Sequence, residues 1–193
     1  MEKLILASAS PRRAEILRAV GWPFEAFATH ADESLFADET AEAAVERLAL
    51  KKAEAAAGRY PRDLILGADT AVVVDKAILG KPRDVDDARR MLRMLSGRWH
   101  DAVTGVALLP HGEKDRRFVS HETTQVRFGA LSDAEIDGYV QSGEPMDKAG
   151  AYAAQGRAAL FIEEIRGDYW NVVGLPIRLV YKLYRQIRRA PLA

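Results

Sequence analysis

The 193-residue chain contains no cysteine, which excludes a disulfide framework, a thiolate zinc site and a cysteine nucleophile together. It has no net charge, since 28 Lys and Arg balance 28 Asp and Glu. No chain-wide field therefore draws in a polyanion such as DNA, a nucleic-acid partner is not expected, and any anion must be captured locally. Long apolar runs are missing too. Stretches such as Leu64 to Leu66 and Ala71 to Val74 fall far below the ~18 residues of a membrane span. The N-terminal MEKLILASAS leads into a Pro-Arg-Arg helix start rather than a signal cleavage site. No membrane partner and a reducing cytoplasmic location are the expectations. Also absent are the GxxxxGK[ST] phosphate loop, GxGxxG, HExxH and the GxSxG nucleophile elbow, and the four histidines are scattered without ligand spacing, so kinase, dehydrogenase, zinc-hydrolase and serine-hydrolase chemistry all lack their signatures.

What is present is an ordinary globular composition, 48% hydrophobic and 29% charged. The length suits one large domain or two small lobes. Lys3 to Ala7 reads as a first core strand, and Ser10 and Pro11 open a helix through Ile16, Leu17 and Val20 that stops at Gly21. Trp22 to Ala28 reads as a second extended piece. After an acidic loop, Thr40 caps a helix running to Gly58. Leu64 to Val74 is almost continuously apolar and ends in three valines, the pattern of a central strand covered on both faces. Gly80-Lys81-Pro82 marks a turn, and Asp84 opens a helix that stops at Gly97. Trp99 to Leu109 and Arg117 to Phe128 read as a hairpin joined through Pro110-His111-Gly112. Ser132 to Glu135 forms a capping box for a helix through about Gln141. Ala158 to Ile165 and Tyr169 to Val173 read as the last strands, and Pro176 opens a terminal helix. Strands alternating with helices, plus a hairpin, give a mixed α/β fold.

The chemistry is concentrated in a few places. Arg12 and Arg13 fall in the first turn of the first helix, the positive end of the dipole, where cations are disfavoured unless an anion joins them. Helix amides, the Ser8 and Ser10 hydroxyls and two guanidinium forks together suit a polyphosphate; two surface salt bridges are the plainer explanation. Asp69 sits inside the apolar run from Leu64 to Val74, where a bare carboxylate is costly to bury. It is therefore a member of a structural network, a catalytic group or a metal ligand. Lys52 shares a helical stripe with Val45, Leu48 and Ala49, whereas Lys51 does not; Lys52 can bind a ligand or simply extend past the stripe. Lys81, held between Gly80 and Pro82, leaves the same two readings open. Asp32 and Glu33 could join Asp69 around a hard cation, or be solvated loop charges. The small residues from Asp147 to Gly156, with Gln155 as their one amide side chain, suit either close approach to a flat ligand or a tight turn.

Taken in order, SASPRR (8–13), GADT (67–70), GKP (80–82), KAGAYAAQG (148–156) and NVVGLP (171–176) resemble the Maf family of nucleotide pyrophosphatases along nearly the whole chain. The resemblance implies a single domain over residues 1–193, with two lobes around a cleft. Its fold would be elongated α/β, similar to that of inosine triphosphate pyrophosphatases, with a mixed twisted sheet flanked by helices and a central cleft. It implies hydrolysis of a nucleoside triphosphate to the monophosphate and pyrophosphate, dependence on a divalent cation (Mg²⁺ or Mn²⁺), and a homodimer. It places Ser8, Arg12, Arg13, Lys52 and Lys81 around the phosphates, makes Asp69 the general base, and gives Glu33 to the metal, with direct Asp69 ligation of that metal left open. Arg12, Thr70 and Gln155 match the specificity positions of the subgroup acting on dTTP and UTP, which extends to modified pyrimidine nucleotides. A glutamine amide, which both donates and accepts, suits the carbonyl and N–H edge of uracil or thymine. Ala154 departs from the bulkier apolar residue many relatives carry. The competing readings are a nucleotide-binding regulator of septum formation, and a 7-methyl-GTP or inosine-type house-cleaning pyrophosphatase.

Overall fold

A computed structural model describes residues 1–29, 31–111 and 116–189. Seven strands form one mixed sheet flanked by six α-helices among the described residues. The strands are β1 (Leu4–Leu6), β2 (Phe24–Ala26), β3 (Leu64–Val74), β4 (Ala77–Leu79), β5 (Trp99–Leu109), β6 (Phe118–Phe128) and β7 (Ile162–Arg166). They run in the order β2-β1-β3-β5-β6-β7, with β4 paired to β3. β3 is thus an interior strand, as its almost continuously apolar run predicts. The turn between β5 and β6 was expected to include Gly112, which lies outside the described residues.

The chain divides into two compact units. The first comprises Met1–Asp69, Thr104–Glu122 and Gly174–Ala193. In it β1 is parallel to β2 and to the start of β3, with Leu4 opposite Leu64 and Leu6 opposite Leu66. The first helix, α1 (Pro11–Ala19), follows β1, and α2 (Ala41–Ala57) is capped by Thr40, whose hydroxyl accepts from the Ala43 amide. The fully buried face of α2 includes Ala44, Val45, Ala49, Ala53 and Ala56. These small residues allow an unusually close approach. A Cβ on Gly67 would lie 2.1 Å from the Ala49 carbonyl oxygen, and one on Gly105 2.2 Å from that of Val45. Gly67 and Gly105 are therefore needed for space rather than for backbone freedom.

The second unit comprises Thr70–Val103 and Thr123–Val173. Its core gathers Val72, Val74, Leu79, Leu92, Leu95, Phe128, Ile136, Tyr139 and Tyr152. Helix α3 (Val85–Leu95) is capped by Asp84, and α4 (Asp133–Gln141) carries the full Ser132–Glu135 capping box. β4 is a strand that the sequence reading does not contain. It returns antiparallel along β3 after two residues, Asp75 and Lys76, both with positive φ (49° and 66°). That is the geometry of a primed two-residue hairpin turn without its usual glycine.

The expected strand at Tyr169 to Val173 is a correction: these residues form a short helix, α5 (Tyr169–Val173), and Arg157–Leu160 is a 3-10 turn ahead of β7. Local side-chain bonds outweigh the β-favouring composition of this stretch. Asp168 Oδ1 accepts from the Trp170 amide at 2.8 Å, and its carbonyl accepts from the Asn171 amide at 3.1 Å. The buried Asn171 then donates to the Ala102 carbonyl at 2.9 Å and to Thr124 Oγ1 at 3.0 Å. The terminal helix, α6 (Ile177–Arg189), begins directly after Pro176.

Candidate active site

Six of the residues singled out from the sequence belong to the first unit: Ser8, Arg12, Arg13, Glu33, Lys52 and Asp69. Their placement follows from the close packing of α2 on β3. Gly67 lets the backbone of α2 approach the strand at Ala49 and Ala53. Asp69 points to the same face as Gly67, two residues along the strand, while Lys52 lies about one helical turn beyond Ala49. The two side chains meet: Lys52 Nζ is 2.5 Å from Asp69 Oδ1. Lys52 is also 2.6 Å from Glu33 Oε1, so one buried ammonium holds two carboxylates. Asp69 is 15% and Glu33 46% exposed at the side chain, which leaves Glu33 on the solvent side of the cluster.

Helical geometry separates the two lysines as expected. Lys51 turns outward to Asp32, reaching its carbonyl at 2.9 Å and its carboxylate at 3.4 Å. Asp32 is further held by the amide and hydroxyl of Ser34. These bonds, with Lys51, pull its carboxyl down to about 2. Of the neighbouring acids Asp32 and Glu33, only Glu33 is paired with Lys52.

Arg13 supplies the second half of the cluster. It is buried, its Nε donates to the Gly174 carbonyl at 2.8 Å, and its Nη1 donates to Ser8 Oγ at 3.1 Å. Ser8 Oγ also accepts from the Ser10 amide at 3.2 Å. The hydroxyl of Ser10 makes no cap, although the residue occupies the N-cap position of α1. Burial pushes the Arg13 guanidinium down from its ordinary value; Asp69 and Glu33 act against that shift and Arg12 adds to it. Arg12 is half-buried. No acidic residue lies in the first turn of α1 to balance the two arginines.

The arrangement therefore joins a helix N-terminus, two guanidinium groups, an ammonium, a hydroxyl and two carboxylates. It can bind a polyanion on its cationic side and present a carboxylate to that anion. The Gly174 carbonyl was not anticipated from the sequence; its only signal was the glycine within NVVGLP.

The three other candidates belong to the second unit. Thr70 is partly buried and follows Asp69 along β3, while Lys81 is exposed just after β4. The carbonyl of the adjacent Gly80 accepts from the Gly150 amide at 3.0 Å. Gln155 is exposed in a turn closed by a bond from the Gly156 amide to the Ala153 carbonyl at 3.0 Å.

A family model described as Maf-like protein matches residues 3–187. A Symbiobacterium thermophilum protein named dTTP/UTP pyrophosphatase is 54% identical over 187 residues, spanning 96% of this chain and 94% of the relative. One from Geobacillus with the same name is 49% identical over 98% of both chains. Two solved structures share the fold: the Ham1 protein of Staphylococcus aureus (TM-score 0.55, 13% identity) and a HAM1 protein of Coxiella burnetii (TM-score 0.54, 16% identity). Each of these two matches covers 96% of this chain and 100% of the other.

Proposed function

The chain belongs to the Maf-like protein family, and from that premise we propose that it hydrolyses dTTP and UTP to the nucleoside monophosphate and pyrophosphate. The observation that carries the reading is the single buried ammonium of Lys52 shared by Asp69 and Glu33, in the same electrostatic cluster as the buried fork of Arg13. Water attacks the α-phosphorus, the bond between that phosphorus and the α–β bridging oxygen breaks, and pyrophosphate leaves with the bridging oxygen. Asp69 accepts the proton of the attacking water. Arg12, Arg13, Lys52 and Lys81 bind phosphoryl oxygens and offset the charge that builds on them, with the Ser8 hydroxyl as a further donor. Thr70 and Gln155, with Arg12, select the pyrimidine base.

The donor set suits a hard divalent cation. Two carboxylates already converge on one positive charge, and Mg²⁺ commonly takes one or two carboxylates together with water and substrate oxygens. Glu33 and Asp69 would hold it. When bound, the ion supplies positive charge beside the triphosphate oxygens.

Pyrophosphate release from dTTP, UTP, CTP, 7-methyl-GTP and ITP, each with Mg²⁺, with Mn²⁺ and with chelator, tests the proposal. Turnover confined largely to dTTP and UTP and removed by chelator is expected. Preference for 7-methyl-GTP or ITP would overturn the base assignment. Nucleotide binding without any turnover would point to a regulator.

A further inference from the structure

In the second unit, the turn that carries Gln155 is hung at both ends from one pair of side chains. Two residues before Gln155, the Ala153 amide donates to the Tyr139 hydroxyl at 3.3 Å. Two residues after it, the Arg157 amide donates to the Glu144 carboxylate, at 3.0 Å to Oε1 and 3.2 Å to Oε2. Tyr139 and Glu144 are themselves joined, the hydroxyl donating to Oε1 at 2.9 Å. The Glu144 carboxylate also lies against Gly156: a Cβ there would meet Oε1 at 2.0 Å. Tyr139 is 2% exposed in the core of the unit, so its hydroxyl is a fixed post. Ala153 and Ala154 are buried whereas Gln155 is exposed, so the turn buries the two residues before Gln155 and leaves Gln155 at the surface.

We propose that Tyr139 and Glu144 are positioning residues for base selection, fixing the turn from which the Gln155 side chain reaches the base. This rests on the assignment of Gln155 to the base. The need for such a device follows from the chemistry of the amide. Uracil and thymine present a carbonyl beside an N–H, and cytosine presents an amino group beside a bare ring nitrogen. A glutamine amide rotated by half a turn exchanges donor for acceptor and fits either edge. Telling the two edges apart therefore requires that the amide be delivered at a set distance and angle, and a turn tied at Ala153 and Arg157 sets the point from which the side chain starts. Binding energy to the phosphates is untouched by this choice, so the clamp governs selectivity rather than rate.

The test is the ratio of kcat/KM for UTP over CTP in full-length protein carrying Glu144→Ala, Glu144→Gln, Tyr139→Phe, Gln155→Ala and the Glu144→Ala/Gln155→Ala pair. Glu144→Ala is expected to lower the ratio about tenfold, mainly through KM for UTP, with kcat for UTP within about twofold of the parent. Glu144→Gln keeps an acceptor oxygen and retains most of the ratio. Tyr139→Phe removes both the Ala153 and the Glu144 bonds of the hydroxyl without emptying the core, and lowers the ratio independently of any folding defect in the alanine variant. The double variant falls no further than Gln155→Ala, as expected for residues acting through one group. A Glu144→Ala variant that slows all nucleotides equally, or whose loss adds to that of Gln155→Ala, overturns the clamp. If Gln155→Ala itself leaves the ratio unchanged, the assignment of Gln155 to the base falls and takes the clamp with it; if only the Glu144 and Tyr139 variants are silent, the clamp alone falls.

Discussion

Lys52 Nζ stands 2.5 Å from Asp69 Oδ1 and gives the carboxylate its partner in a largely apolar strand. In the proposed reaction Asp69 has to take a proton, and an amide of the same shape cannot. Asp69→Asn is expected to lower the rate of pyrophosphate release about a thousandfold, within the range ordinary for a general base, while calorimetry still detects triphosphate binding. A variant with full activity would remove Asp69 from the chemistry.

Removing the other partner acts differently. Lys52→Met leaves Asp69 and Glu33 facing each other without their shared cation, and withdraws one charge from the phosphate side. Hydrogen bonds to charged groups contribute about 1.5–3 kcal/mol, so binding of dTTP or UTP should weaken about ten- to a hundredfold. Equilibrium binding at low and high salt measures this, and unchanged affinity would place Lys52 in a purely structural pair.

Gly67→Ala tests how the pair is brought together. The added methyl would sit 2.1 Å from the Ala49 carbonyl oxygen and 2.9 Å from the Ala53 amide, backbone atoms that cannot rotate away. Pushing α2 off β3 should cost about 1–3 kcal/mol by denaturant unfolding, and lower activity as well, because Lys52 rides on the displaced helix. Loss of stability with activity intact would show that the pair tolerates the shift.

Much of this was legible from the sequence, and the exceptions have physical causes. β3 matched its apolar run from Leu64 to Val74, and the capping box at Ser132 fixed the start of α4. The helical stripe separated the buried Lys52 from Lys51. β4 escaped because its hairpin turn uses Asp75 and Lys76 at positive φ, where the recognisable signal is Asn-Gly or Asp-Gly. Tyr169 to Val173 was misread because its aromatic and β-branched residues outvoted the Asp168 cap. The Gly174 carbonyl on Arg13 was missed, since a backbone acceptor carries no signature of its own beyond the glycine within NVVGLP.

His100 makes stability depend on pH. It is buried, its Nε2 is 2.9 Å from the Tyr152 hydroxyl, and burial pushes its pKa down to about 4. The unfolded chain takes up this proton near pH 6.5, so the stability contributed by neutral His100 is complete above that pH and is lost as pH falls from 6.5 to 4. With 1.36 kcal/mol per pKa unit, the loss is about 3 kcal/mol. Urea midpoints should fall across this window in the parent and fall less in His100→Gln. Equal slopes would place the acid sensitivity elsewhere.

Arg13→Lys separates charge from geometry at the phosphate side. The guanidinium serves two acceptors from two separate nitrogens: Nε donates to the Gly174 carbonyl at 2.8 Å and Nη1 to Ser8 Oγ at 3.1 Å. A lysine keeps the positive charge but has one compact, strongly hydrated donor group, which is harder to bury than a guanidinium. Its single nitrogen cannot reproduce the planar fork that meets both acceptors, and a buried group left unsatisfied costs about 1–3 kcal/mol. The hydroxyl of Ser8 also receives the Ser10 amide at the start of α1, so the loss should reach the helix end that carries Arg12. The expected result is a drop of about 2 kcal/mol in unfolding free energy together with at least a tenfold fall in kcat/KM for UTP. If Arg13→Lys retained full activity at reduced stability, Arg13 would be a brace for the loop after β1, and phosphate binding would rest on Arg12, Lys52 and Lys81.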